Sequence, residues 1–321
     1  MKYIGFFCLF FTLLSCSEGR YTVPGKPVHP ISINRFDRTF YQTGGSPDSL
    51  FLSLYANQIM GVGEPGSPLF MQFDSIFRSD RQIGQIYSDC QLVFKDVSPL
   101  ESKLTWAFYR LHYFFPSIPY PNVYMHISDF GESVVSAPGM LSADIDKYLG
   151  PNYPLYREKF LNYQTQRMYP EKILSDYLAG WIRSEFTEES LLDQQRLLDY
   201  MVYEGKILFF LKVILPDESM ENISGLTKGQ LEWCKRNEKG MWNSILNLHN
   251  LYNSDPQVIS SYLGEAQNTS FFPKDAPGQA AVWLGYRMVG SYMKRHPKTT
   301  VQDLLLKTSS QSLLTGSLYN P

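Results

Sequence analysis

The chain has 321 residues, of which 44% are hydrophobic and 15% aromatic, and its formal net charge is −2. This length and composition suffice for a sizeable buried core, in one large domain or two closely packed ones, and argue against a largely disordered chain. The balanced charge and the lack of a dense Lys/Arg run indicate neither a nucleic-acid partner nor a polybasic membrane patch.

The N-terminus has the pattern of a lipoprotein signal. One lysine precedes an apolar run from Tyr3 to Leu14, which is too short to span a bilayer and fits the hydrophobic region of a signal peptide. Leu-Leu-Ser-Cys ends the run and resembles a bacterial lipobox, although an ordinary signal peptide that contains a cysteine is the alternative. We therefore predict a signal peptide at residues 1–15 and a lipidated Cys16 that anchors the protein in the cell envelope, at the outer membrane.

Residues 16–31 follow as a predicted tether, because they carry three prolines and two glycines without any apolar period. Residues 32–321 are predicted to form a single domain, with a possible subdivision near residue 150. Cys90 and Cys234 have no CxxC or Cys/His neighbourhood. They could pair in an oxidising periplasm or remain buried thiols, and the sequence leaves both open.

Strand signals are confined to the first half of the chain. The alternation in "INRFDRTFY" predicts a strand that begins near Ile33. The β-rich segments Pro121–Ser128 and Ser133–Ile145 are separated by an Asp-Phe-Gly turn and predict a hairpin or two neighbouring strands. Between these segments, Ser98 and Glu101 form a capping-box pattern that predicts a helix to about Phe114.

Helix signals dominate the rest of the chain. The predicted helices are Pro170–Phe186, Glu188–Leu215 after Thr187, Lys228–Asn250 after the capping box Thr227…Gln230, Pro256–Leu263 after Asp255, Gly278–Arg295, and Val301–Leu306 after Thr300. No repeat of 20 to 50 residues is visible in the sequence, which disfavours a solenoid. The sequence therefore predicts an α+β, mostly helical fold with a small N-terminal sheet followed by a helical body.

Two acidic residues are the candidates for chemistry. Glu204, in "LLDYMVYEGKILFFL", is centred on the apolar face of its predicted helix, where an unpaired carboxylate is costly. Hydrogen bonds from Tyr or Arg, or a functional site, would each explain it. Glu171 shares a helix face with Leu174 and Leu178 and could also point inward, although the helix dipole alone favours an acid directly after Pro170.

Other common sites lack support in the sequence. The five histidines are scattered, and no HExxH, P-loop, GxSxG or GxGxxG motif is present.

Several segments, in order along the chain, resemble the gliding-motility lipoprotein GldB family of Bacteroidetes: "YRLHYFFPSIPYPNVYMHIS", "DKYLGPNYPLY", "QRMYPEKILSDYL", "LLDYMVYEGKILFFLKVILPD", "LTKGQLEWCKRNEKGMW" and "APGQAAVWLGYRMVGSYMKRHP". The resemblance implies an envelope lipoprotein linked to gliding-type or secretion machinery, with envelope proteins as partners. Some members of the family occur in bacteria that do not glide.

The order of elements is also similar to that of HExxH zinc peptidases, in which an "EG" motif on a later helix supplies the third zinc ligand. Carried over by pattern, Pro170 and Leu174 stand at the two histidine positions, Glu171 at the general base and Glu204 at the third ligand. Proline and leucine side chains cannot bind a metal. The resemblance therefore implies a zincin-like scaffold with a degenerate site, no metal, no cofactor and a structural or assembly role.

Two alternatives remain open. A metal-dependent hydrolase could use His126, Glu171 and Glu204 from separate elements. A peptide- or glycan-binding module could use the substrate cleft of the degenerate peptidase scaffold. Its stacking platforms would be four tyrosines: Tyr120, Tyr124, Tyr153 and Tyr156.

Overall fold

The structure is a computed structural model that describes residues 19–42, 47–192, 194–273 and 275–321. The predicted signal peptide and Cys16 lie outside the described residues. Residues 19–31, the described part of the predicted tether, contain neither helix nor strand but are fastened to the body. Ile31 N–H donates to Thr105 Oγ1 at 2.9 Å, and the Arg20 guanidinium donates to the carbonyl oxygen of Met293 at 2.6 Å.

The sheet of the described chain has the strand order β1-β2-β4-β3. Its strands are β1 (Ile33–Asn34), β2 (Asn122–His126), β3 (Val134–Ala137) and β4 (Met140–Asp144). β1, β2 and β4 are parallel, and β3 is antiparallel to β4, so β3 forms one edge of the sheet. Of the two predicted β-rich segments, the first is the parallel neighbour of β4, and the hairpin lies wholly within the second.

The helices before the sheet's main strands are rich in aromatic residues. They are α1 (Phe36–Tyr41), α2 (Ser49–Leu54), α3 (Pro68–Ser79), α4 (Arg81–Val93) and α5 (Ser98–Phe114), with a π-helical turn at Tyr55–Ile59 after α2. The prediction of a strand throughout "INRFDRTFY" is wrong after Asn34. Phe36 and Phe40, four residues apart, are both buried and stack at 5.3 Å, which is the spacing of a helix face.

The helix α5 has the predicted bounds but not the predicted cap. Ser98 is already helical, and its N–H donates to Asp96 Oδ1 at 2.9 Å. Glu101 Oε1 accepts the N–H of Ile33 at 2.8 Å instead of completing a capping box. The acid therefore fixes the start of the sheet against α5.

The helical body follows the sheet. Its helices are α6 (Tyr156–Lys159), α7 (Asn162–Thr165), α8 (Ile173–Glu185), α9 (Glu188–Leu191), α10 (Leu197–Ile214), α11 (Met220–Ser224), α12 (Lys228–Asn247), α13 (Pro256–Leu263), α14 (Ala280–Arg295), α15 (Val301–Leu306) and α16 (Ser310–Ser317). The predicted caps Thr227, Asp255 and Thr300 accept backbone N–H groups as expected. The helix predicted at Glu188–Leu215 is interrupted between α9 and α10. The α+β, mostly helical class is confirmed.

The centre of the body is the crossing of α10 and α14. A Cβ added to Gly205 would lie 2.3 Å from the carbonyl carbon of Gly285, and one added to Gly285 would lie 1.8 Å from Met201 O. The two glycines therefore let the helix backbones touch. Because 14 of its 18 residues are buried, α10 is covered on nearly all sides and contributes to the apolar clusters on both sides of the crossing.

No helix in the described ranges is both long enough and apolar enough to cross a membrane.

Candidate functional site: a charged cavity beside Glu204

Glu204 lines a cavity of about 470 Å³ between β3, α8 and α10. On the side of the sheet, Ser133 and Val134 line the cavity, and Gly180 of α8 lies next to Val134. A Cβ at Gly180 would lie 2.7 Å from Val134 Cγ1, so the glycine allows α8 to approach the edge strand closely. The Glu204 side chain is 21% exposed. The expectation that it sits at the centre of a buried apolar face is therefore corrected: the helix is apolar on most faces, and Glu204 projects from it into the cavity.

Six of the eight charged side chains that line the cavity form three ion pairs, and Glu132 and Lys147 are the other two. Arg183 Nη2 donates to Glu204 Oε2 at 2.7 Å across the gap between α8 and α10. Arg167 lies 3.7 Å from the Glu265 carboxylate and also donates to Gln279 Oε1. Each pair therefore places a cation and a carboxylate within 4 Å of each other at the cavity wall.

The third pair is Lys172 and Asp176, one helical turn apart on the same wall. Lys172 Nζ donates to Asp176 Oδ1 and, at 3.1 Å, to Ser175 Oγ. The Tyr148 hydroxyl donates to the other oxygen of Asp176 at 3.0 Å. Both oxygens of Asp176 are therefore engaged, and Lys172 is held although its side chain is almost fully covered.

The predicted partners of Glu204 lie elsewhere. Glu171 is exposed in the 3₁₀ turn Pro170–Lys172 and does not line the cavity. Of the two possibilities, an inward-pointing acid and an acid favoured at the start of a helix, its position matches the second. Leu174 is buried and lines a different pocket, beside Trp106 and Arg110. The residues of α8 that line the cavity together with Glu204 are Asp176, Ala179, Gly180 and Arg183.

This donor set does not fit a zinc ion. Glu204 and Asp176 are the carboxylates of α8 and α10 at the cavity, and each is bound to a cation of the protein. Zinc sites in proteins use three or four His, Cys or carboxylate ligands that are free to coordinate. In the described part of the chain, no group of three or more His, Cys, Asp or Glu residues is placed to hold a metal ion.

His126 belongs to a second cluster, at the carboxyl ends of β2 and β4. It is fully buried, its Nδ1 lies 2.7 Å from Ser142 Oγ, and its Nε2 has no partner among the described residues. Burial lowers the pKa of His126 to about 3, so the ring is neutral at physiological pH. The structure therefore does not bring His126, Glu171 and Glu204 into one site.

Two fully buried carboxyls, Asp144 and Asp146, lie in the same cluster. Ser128 donates its hydroxyl to Asp144, and the N–H groups of Ser128 and Phe130 donate to Asp146 Oδ2 at 3.3 and 3.1 Å. Burial raises the pKa of both acids, that of Asp146 to about 6 and that of Asp144 well above its ordinary value. The pair fixes the loop between β2 and β3, in which Asp129 and Phe130 have positive φ.

The four tyrosines that the sequence suggested as stacking platforms, and the two cysteines, do not lie together in one site. Tyr124 and Tyr156 are buried in the core, whereas Tyr120 and Tyr153 are half-buried beside different pockets, so the four do not form one stacking surface. Both cysteines of the described chain are buried free thiols, and burial raises the pKa of each. This makes them poor nucleophiles at neutral pH.

The sequence reasoning missed Arg183 and Asp176, the ion-pair residues of α8 that accompany Glu204. A positive charge directly after the apolar stretch "YLAGWI" was the available signal for Arg183. Asp144 and Asp146 were also missed, although two acids spaced by one residue at the end of a strand-like segment are unusual.

Comparison with known proteins identifies a family. The family model described as "Gliding motility protein GldB" matches residues 22–321. No curated protein and no solved structure matches the chain.

Proposed function

Because that match covers nearly the whole chain, the protein belongs to the GldB family, and we propose that it acts in the cell envelope by assembling with other proteins rather than by catalysis. Membership associates it with gliding motility and with the family's envelope lipoproteins. The proposal adds that the protein is a structural or assembly factor for gliding-type or secretion machinery. It also adds that Cys16 carries the lipid and that the outer membrane is the destination.

The observation that carries the non-catalytic role is the pairing of charges around the Glu204 cavity. A general base or a metal ligand needs a free lone pair directed at the substrate or the ion. Arg183 engages one oxygen of Glu204, Oε2, and holds that carboxylate toward α8, while Lys172 and Tyr148 engage both oxygens of Asp176. These bonds join α8 to α10 and to the 3₁₀ turn Ile145–Tyr148 that follows β4, which is a structural task.

A crosslinking experiment on the native envelope tests the proposal. The acylated protein should be recovered in a stoichiometric complex with specific envelope proteins, and a Cys16→Ser variant should lose that complex because it leaves the membrane. Recovery only as a monomer, with and without crosslinker, would contradict an assembly role.

Metal analysis separates the proposal from the hydrolase alternative. Protein purified without chelator should contain no stoichiometric zinc. One tightly held zinc per chain would make the hydrolase the leading interpretation, and His126 would then be the first residue to change.

Peptide binding is a second candidate, favoured by the position of the cavity at the edge strand. β3 is an edge strand of the described sheet, and its first residue, Val134, lines the cavity together with the preceding Ser133. An extended peptide can add to such an edge by backbone hydrogen bonds while its side chains enter the adjoining cavity. Binding of peptides to wild type that is lost in Glu204→Lys, with an unchanged unfolding midpoint, would support this candidate.

A further inference from the structure

We propose that the end of α14, with Lys294, Arg295 and Lys298, is a contact surface for anionic phospholipid that lies where the lipid anchor leaves the folded body. The proposal uses the Cys16 anchor of the proposed function to place this surface, and it assigns an orientation to the protein on the membrane. We call these three cations the α14 basic cluster.

Arg20 fixes the point at which the chain leaves the body. Its guanidinium donates to three carbonyl oxygens that follow one another at the end of α14: Met293 at 2.6 Å, His296 at 3.0 Å and Thr299 at 2.5 Å. These carbonyls include groups that a helix end leaves without intrahelical partners. Arg20 is therefore tied to the same segment that carries the α14 basic cluster.

The covalent chain then limits how far this segment can be from the membrane. Four residue steps separate Cys16 from Arg20, and a fully extended chain spans at most about 3.6 Å per residue, or about 14 Å in all. The surface potential of a charged membrane falls off over about 8–10 Å at physiological ionic strength. A lipidated Cys16 thus keeps Arg20 within about 14 Å of the bilayer, which is less than two of these decay lengths, so the end of α14 can reach the headgroup charge.

The cluster has the charge that such a surface attracts. Lys294, Arg295 and Lys298 are all exposed, and none of them forms a hydrogen bond or ion pair with a described residue. The nearby acid Asp303 is already paired with Lys307 at 2.8 Å and accepts a hydrogen bond from Thr300 at 2.7 Å. The three cations therefore remain available for phosphate groups of the bilayer.

This surface is not apparent in the sequence, because three cations in "KRHPK" do not make a long basic run. Only the fold brings the α14 basic cluster close to the N-terminal segment, since Arg20 lies 274 residues before Lys294 in the sequence.

The chain supplies a matched control. Lys235, Arg236 and Lys239 of α12 repeat the same residue types at the same spacing, are also exposed, and likewise form no hydrogen bond or ion pair within the described chain. Among the described residues, the Arg20 guanidinium donates to carbonyl groups at the end of α14 and to none of α12. Replacing either set by glutamine changes the net charge equally.

The first test measures binding without the lipid, so that it does not depend on acylation. The mature chain from residue 16 with Cys16→Ser is sedimented with vesicles of phosphatidylglycerol and phosphatidylcholine, or of phosphatidylcholine alone. We expect binding to the anionic vesicles that weakens with salt. Since each cation near such a surface contributes about fivefold, Lys294→Gln/Arg295→Gln/Lys298→Gln should weaken partitioning by about 100-fold. Lys235→Gln/Arg236→Gln/Lys239→Gln should leave it unchanged.

The second test uses the acylated protein reconstituted in the same vesicles. Reaction of Lys294 and Lys298 with an amine reagent, read by mass spectrometry, should slow several-fold on anionic vesicles relative to Lys235 and Lys239 of the same molecules. Equal reactivity of the two lysine pairs on both vesicles, or equal vesicle binding by the two triple variants at unchanged unfolding midpoints, would overturn the proposal. Detergent-phase partitioning of the wild type reports acylation separately, so failure of the anchor and failure of the surface are distinguishable.

Discussion

Replacing Gly285 by alanine should strongly destabilise the protein, because the added Cβ has no space at the crossing of α10 and α14. The Cβ would lie 1.8 Å from Met201 O, whereas real Cβ atoms essentially never come closer than 3.0 Å. The two backbones would have to separate by at least 1.2 Å, the difference between these distances. A carbonyl of a buried helix cannot rotate away as a flexible side chain can.

The change in the free energy of unfolding caused by Gly285→Ala is the balance of two opposing effects. Overpacking a well-packed interior costs about 1–3 kcal/mol and occasionally more, and the rigid backbone contact puts this site at the upper end. Alanine in a helix gains about 0.5–1 kcal/mol over glycine. We therefore expect Gly285→Ala to lower the free energy of unfolding by about 2 kcal/mol or more.

Gly290 provides the control on the same helix. A Cβ at Gly290 meets no described atom within 4 Å, so Gly290→Ala should be neutral or stabilise by up to about 1 kcal/mol. Urea unfolding of wild type and both variants, as the unacylated mature chain, gives the two values. If Gly285→Ala were as stable as Gly290→Ala, the close helix crossing described here would be wrong.

Three further predictions concern the anchor, the cavity and the buried acids. Cys16→Ser should abolish partitioning into the detergent phase, and unchanged membrane association with normal maturation would contradict lipidation. Arg183→Gln and Glu204→Gln should each cost under about 1 kcal/mol, because the pair is partly solvated, and a double-mutant cycle should give a coupling of about 0.2–1 kcal/mol. A coupling near zero would contradict the prediction that the pair contributes to stability. Burial, with the neighbouring charge of Asp146, raises the pKa of Asp144, so the folded protein keeps a proton that the unfolded chain releases. The stabilisation of the folded state by this bound proton is complete below about pH 4. It declines as the pH rises, by up to about 1.4 kcal/mol per pH unit. Between about pH 6.5 and 8, wild type should therefore lose stability relative to Asp144→Asn in urea unfolding, and parallel pH profiles would refute the raised pKa.

Local signals in the sequence were sufficient for most of the helical body. Caps such as Thr227 and Asp255 act through hydrogen bonds within one turn, so neighbouring residues determine them. The capping box at Ser98 failed because Glu101 is used by a distant partner, the N–H of Ile33. A short-range pattern cannot reveal such a competing contact.

The surroundings of Glu204 were harder to predict from the sequence, for a physical reason. Helical periodicity locates the buried face only when another face is exposed to water, and α10 is covered on nearly all sides. Which of its side chains meets a cavity depends on how α8 and β3 pack against it. The pairing of Glu204 with Arg183, 21 residues earlier, is set by that packing and not by spacing along the chain.

The most direct test of a non-catalytic role is complementation by the double variant Glu171→Gln/Glu204→Gln. Expressed in place of the wild-type protein, it should restore the envelope function of a deletion strain, because glutamine keeps the shape of each side chain and part of its hydrogen bonding. The same protein's unfolding midpoint must be measured beside it. Failure to complement at an undiminished midpoint would show that the carboxylates themselves are required, and would contradict the account.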